Sequence, residues 1–132
     1  MNRLLVLSIL GFFNCTAVKS QNTRFIDSVF SSVEKTTINY SDVFTDNYHK
    51  MDIYLPKGDV LTKRPVIFFN HGGAFYAGDK SSQDCVDFCS EFAKKGYVAV
   101  SVNYRLSNPL LFLTDKKVQL TTVLQCMADV KA

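Results

Sequence analysis

The sequence predicts an α/β fold in which an antiparallel hairpin opens a sheet that continues in parallel strands joined by a crossover helix. Three observations carry this. Val66, Ile67, Phe68 and Phe69 form an unbroken apolar block after Pro65, too short for an amphipathic helix, as a strand buried on both faces would read. Downstream, Cys85, Phe88, Cys89, Phe92 and Ala93 recur at helical spacing, and Tyr97 to Tyr104 reads as a further strand. A strand, a helix of this length and a second strand make a right-handed crossover, which sets the two strands parallel in one sheet.

Taken in order, the chain begins with Arg3, a short apolar core from Leu4 to Phe13, and small and polar residues ending Val18-Lys19-Ser20. That is the layout of a secretory signal peptide over residues 1–20, with cleavage before Gln21, too short for a stable membrane span. The reading makes the protein secreted or periplasmic. An uncleaved anchor, or lipoprotein processing at Cys15, are the alternatives, and Phe13-Asn14 are poorly suited to the latter.

Within residues 21–35, Phe25, Ile26, Val29, Phe30 and Val33 recur as in a short amphipathic helix or an apolar arm lying on the domain. Residues 36–40 and 49–55 alternate apolar and polar side chains around Thr45-Asp46-Asn47, as a hairpin does, and Lys57-Gly58-Asp59 closes it. After the apolar block, Ser81 or Ser82 caps the helix and Gly96 stops it. Asn108-Pro109 breaks the chain again. A last helix opens at Asp115, with Leu120, Val123, Leu124, Met127 and Val130 on one side.

Composition narrows the function classes. The 132 residues suffice for one small domain, and without Arg3 and Lys19 the basic residues number 13 against 12 acidic, a charge of +1. No basic patch remains, so nucleic-acid binding is not suggested. Cys85, Cys89 and Cys126 make no recognisable metal set with the two histidines. In an exported chain a disulfide between Cys126 and either Cys85 or Cys89 is possible, since Cys85 and Cys89 on one helix are poorly placed to bridge each other; three buried apolar residues are the plainer alternative.

The strand from Val66 stops at His71-Gly72-Gly73-Ala74. The glycines give backbone freedom and remove Cβ bulk, so that peptide N–H groups can face outward and meet a developing negative charge. This segment resembles the His-Gly-Gly-Gly-type oxyanion loop of the α/β-hydrolase esterases and lipases. Met51-Asp52-Ile53-Tyr54-Leu55-Pro56 before it, and Ala93-Lys94-Lys95-Gly96-Tyr97-Val98-Ala99-Val100-Ser101-Val102-Asn103-Tyr104-Arg105-Leu106 after it, look like the same family's flanking strands in the same order. The resemblance covers roughly residues 36–132 and implies the N-terminal part of that fold, a three-layer αβα architecture when complete. Such a domain runs to roughly 200 to 250 residues, and no Gly-x-Ser-x-Gly occurs in this sequence. The expectation is therefore a chain that stops before the nucleophile elbow and lacks all three triad residues.

By that resemblance, the amides of Gly73 and Ala74, with Gly72, are the oxyanion donors. The alternative for the two glycines is a simple tight turn. His71 is expected to brace the turn and Asp79 to pin its far end, against a catalytic base and a solvated turn residue respectively. Phe75 and Tyr76 wall the acyl pocket or pack in the core, and Arg105 makes a structural ion pair. The function implied is an exported carboxylic-ester hydrolase of serine mechanism, with no cofactor and no metal, acting on a small ester and inactive as residues 21–132 alone. A secreted peptidase of the same fold and a non-catalytic hydrolase-like binding module are the competing readings. The family's strand order puts the nucleophile strand beside Val66–Phe69, so without it that strand is an apolar edge and the chain is expected to self-associate.

Overall fold

The computed structural model describes residues 23–131. The signal-peptide reading of residues 1–20 lies outside the described residues. In chain order the elements are β1 (Val33–Asn39), β2 (Lys50–Pro56), β3 (Val66–Asn70), α1 (Gln83–Lys94), β4 (Val98–Val102), α2 (Pro109–Thr114) and α3 (Lys116–Lys131). β1 and β2 are the antiparallel hairpin, in register from Val33 opposite Pro56 to Asn39 opposite Lys50. β2 runs antiparallel to β4, and β4 parallel to β3, giving the order β1-β2-β4-β3. The crossover from β3 through α1 to β4 thus produces the parallel pair that the periodicity predicts.

α1 covers one face of this sheet. Strand alternation turns Tyr54, Ile67, Phe69 and Ala99 toward it, where they meet Phe88, Cys89, Phe92 and Ala93. The helix stops as its sequence requires. Gly96 takes φ +102°, its N–H donates to Ala93 O at 2.8 Å, and Tyr97 N–H reaches Phe92 O at 3.2 Å. The Tyr97 and Phe92 rings close the motif at 5.4 Å. At the other end Ser82 holds the N-cap position, but its hydroxyl donates to the Asp84 carboxylate at 2.6 Å and caps no backbone amide.

Several expectations are corrected. β3 is not buried on both faces: it is the sheet edge, with Ile67 and Phe69 inward and Val66 and Phe68 54% and 59% exposed. Asn108-Pro109 starts a helix rather than breaking the chain, because the Asn108 side-chain Oδ1 accepts from the Leu110 and Leu111 amides and Pro109 needs no partner at the first helical position. α3 buries Thr122, Cys126 and Asp129, while Leu120, Leu124 and Met127 lie exposed.

The disulfide is absent too. All three described cysteines are free and buried. Cys89 packs with Ala99 on the α1 face, whereas α3 meets the opposite one, where Val102 shares a cavity wall with Asp129 and Val130. The sheet therefore stands between Cys126 and the other two thiols.

The apolar residues before β1 form no helix and lie as an arm along the end of α1. Phe25 N–H donates to Lys95 O at 2.8 Å, and the Val29 and Phe30 amides share Lys94 O at 3.0 Å. Arg24 and Arg64 both pair with Asp59. The Arg24 guanidinium, outweighing the burial of the group, holds the Asp59 carboxyl well below the usual carboxylate range.

Candidate functional site

The loop between β3 and α1 leaves the sheet at the C-terminal end of the parallel strands, where open α/β sheets gather their ligands. Its shape follows from its glycines. Gly73 lies at φ +118°, and a Cβ there would stand 2.0 Å from Ala77 O. Gly78 lies at φ +105°, and a Cβ there would meet His71 Nδ1 at 2.2 Å and Gly72 O at 2.3 Å. Gly72 has no such constraint, since a Cβ would meet nothing within 4 Å. Between the two constrained glycines the chain makes a tight turn, closed by Tyr76 and Ala77 N–H groups donating to Gly73 O at 3.2 and 3.0 Å. Ala74 and Phe75 are both held left-handed, at φ 50° and 66°. Each such residue costs roughly 1 to 2 kcal/mol, and strain of this kind gathers at functional sites.

The turn leaves its amides open. Gly72, Gly73 and Ala74 are exposed, and among the described residues nothing accepts a hydrogen bond from their N–H groups. Beneath them His71 is buried, its Nδ1 donating to Gly72 O at 2.7 Å and its ring stacked on Tyr104 at 4.3 Å. The Tyr104 hydroxyl donates to His71 O at 2.5 Å. His71 is thus tied to the turn by its own ring and carbonyl, and its buried Nε2 has no partner among the described residues.

The far end of the loop is fastened by Asp79. Its carboxylate accepts from the Ser81 amide at 2.8 Å and from the Ser81 hydroxyl, from Asn103 Nδ2 at 2.9 Å and from Asn47 Nδ2 at 3.3 Å. Partial burial alone would raise its pKa, but the Ser81 and Asn103 donors overcome it and hold the group at about 2. Asn103 also donates to Asn47 O at 3.0 Å, joining this anchor to the β1–β2 connection.

Beside the loop is a cavity of about 460 Å³, bounded by His71, Phe75, Tyr104, Cys126, Met127 and Val130 among others. Phe75 therefore faces space beside the glycines. Tyr76 does not line this cavity; its ring packs on Phe112 of α2 at 5.8 Å. Arg105 makes a structural pair: its guanidinium reaches Asp129 of α3 at 2.6 Å, and its amide donates to the same carboxylate at 3.0 Å. Gly78, Asn103 and Tyr104 belong to the site's support and went unassigned in the sequence. Gly78, seven residues after His71, was the findable one, as a second glycine closing an irregular loop.

No group of histidine, cysteine and acidic side chains able to hold a metal occurs among the described residues. No described helix is long and apolar enough to cross a membrane.

Similarity to known proteins agrees with this geometry. The family model described as BD-FAE matches residues 51–117, just over half of the chain and spanning β2, the loop, α1 and β4. Tuliposide B-converting enzyme 1, amyloplastic, of Tulipa gesneriana is 36% identical over 86 residues, which is 61% of this chain and 19% of that enzyme. Among solved structures, esterase B from Lactobacillus rhamnosis aligns with a TM-score of 0.55 at 22% identity, over 79% of this chain and 31% of the other. A C6-C4 SN3-inhibited form of that esterase gives 0.54 over 76% and 30%. The chain thus spans about a fifth of the curated relative and under a third of the solved esterase. At that identity the solved structures speak for the fold alone, an esterase-type α/β-hydrolase fold of which this chain forms part, and the match of the family model over residues 51–117 shows that the chain belongs to the BD-FAE family.

Proposed function

We propose that this chain supplies the oxyanion loop of an exported carboxylic-ester hydrolase of serine mechanism. The observation that carries the reading is the set of unengaged amides at Gly73 and Ala74, with Gly72 beside them, held by a strained turn above a braced histidine. Ester hydrolysis passes through a tetrahedral intermediate whose oxygen gains a full negative charge. Donors fixed before the reaction spend nothing on reorientation, and removing one such donor costs roughly 3 to 4 kcal/mol of transition-state stabilisation. Ala74 offers its N–H as a glycine would and adds only a methyl group. Phe75 and the adjoining apolar cavity suit the acyl portion of a small ester.

His71 braces rather than abstracts a proton, because its Nδ1 proton is committed to Gly72 O and its ring is packed on Tyr104. No Gly-x-Ser-x-Gly serine is present in the 132 residues. Without nucleophile and base, an oxyanion site and binding leave only about 10³ to 10⁴ of acceleration over water. Residues 21–132 alone are therefore inactive in this reading. Export rests on the layout of residues 1–20.

The test is hydrolysis of a short-acyl p-nitrophenyl ester by residues 21–132 and by the protein encoded when the reading frame is extended. Activity is expected only in the extended protein. Turnover by residues 21–132 that disappears on Ser81→Ala or Ser82→Ala overturns the proposal.

A further inference from the structure

Asp52 lies on the α1 face of β2, two residues from Tyr54, with its side chain fully enclosed. Its Oδ1 is 3.0 Å from Lys80 Nζ, itself on a buried residue at 8% exposure. The other carboxylate oxygen is 3.4 Å from Lys35 Nζ, and Thr37 Oγ1 donates to Oδ1 at 2.7 Å. The Lys80 backbone is gripped as well: its N–H donates to Asn103 Oδ1 at 2.5 Å and its carbonyl accepts from Ser101 Oγ at 2.8 Å.

A charge pair in this position is a poor way to stabilise a small domain. Removing two ions from water costs about as much as their attraction returns, and well-packed apolar replacements are commonly as stable or more so. What an ion pair does add is a fixed place. Lys80 follows Asp79 and Gly78, and Gly78 lies so close to His71 and Gly72 that no side chain fits between them. The far end of the loop therefore rests on its beginning, and the turn between is closed on Gly73 O. A shift at Lys80 has two residues in which to dissipate before it reaches the turn.

We propose that Asp52 and Lys80 are positioning residues for the glycine loop, their buried pair fixing residues 78–80 on the sheet and thereby the direction of the Gly73 and Ala74 amides. The use of those amides rests on the oxyanion reading above; the mechanical coupling does not.

Hydrogen exchange read by mass spectrometry on the full 132-residue chain tests it, comparing wild type with Asp52→Leu/Lys80→Met and with Lys80→Arg. In the double variant, exchange at the Tyr76 and Ala77 amides, which close the turn on Gly73 O, rises about tenfold or more while peptides from β2 and β4 stay protected, the pattern of local opening. Its melting temperature stays within roughly 3 °C of wild type. Lys80→Arg, which keeps the charge, keeps the loop protected. Unchanged loop exchange in the double variant overturns the proposal, and so does loss of protection throughout or failure to fold, since either makes the pair a general structural element. No ester is involved, so this outcome and the fate of the hydrolase reading are separable.

Discussion

Gly72 and Gly73 are neighbours in sequence and unequal in structure, and substituting each by alanine exposes the difference. At Gly73 a methyl group meets Ala77 O at 2.0 Å, and φ is +118°. The backbone must leave this conformation, which forfeits the bonds from Tyr76 and Ala77 to Gly73 O. Forfeiting two hydrogen bonds at about 1 kcal/mol each means that Gly73→Ala should lose about 2 kcal/mol, a large share of the 5 to 15 kcal/mol typical of a domain. Gly72→Ala puts its methyl into open space with no positive φ, so it should stay within about 0.5 kcal/mol of wild type. Urea unfolding followed by far-ultraviolet circular dichroism, with the slope checked for constancy, measures both. A Gly73→Ala loss below about 1 kcal/mol, or a Gly72→Ala loss above about 2 kcal/mol, refutes the steric argument for this loop.

Two further outcomes follow from the same geometry. Asp79 is lowered from 3.8 to about 2 by its donors, so it contributes stability that is present above pH 3.8 and is lost as pH falls toward 2. Discounted for solvent screening this amounts to about 1 kcal/mol; Asp79→Asn should flatten the stability profile in that window, and an unaltered acid limb counts against the assignment. We also propose that the open β3 edge drives self-association, with half-exposed Val66 and Phe68 each leaving about 1 kcal/mol of burial unrealised, roughly half the value for full burial. Light scattering should show Val66→Lys/Phe68→Lys moving the chain toward monomer, and a monodisperse wild-type monomer would sink the idea.

Much of the architecture is legible because local chemistry and packing agree. The apolar block from Val66, the helical recurrence from Cys85 and the stop at Gly96 each have one good structural solution, and their order dictates a parallel crossover. The loop is legible for a different reason, since His71-Gly72-Gly73 follows a strand and its paired glycines announce an irregular turn with exposed amides. What periodicity does not supply is orientation. It groups Leu120, Leu124 and Met127 correctly, but the docking of α3 is decided by Asp129 on Arg105 and by the Cys126 thiol donating to Arg105 O at 2.9 Å, which turn the other side inward. Asp52 hides for a related reason: an acid in an alternating strand reads as a solvated position until Lys80 is seen beside it. The cysteine pairing fails because spacing along the chain carries no information about which side of a sheet each thiol occupies.

Those three enclosed thiols make the molecule its own reporter. Burial pushes the Cys89 thiol up to about 12, so it offers no thiolate to an alkylating reagent in the closed molecule, and Cys85 beside it is likewise enclosed at the α1 face. Cys126, buried on α3, instead borders the cavity beside the loop. The order in which iodoacetamide reaches the three sulfurs is consequently a clock with two hands, one timing the release of α1 and the other access through that cavity.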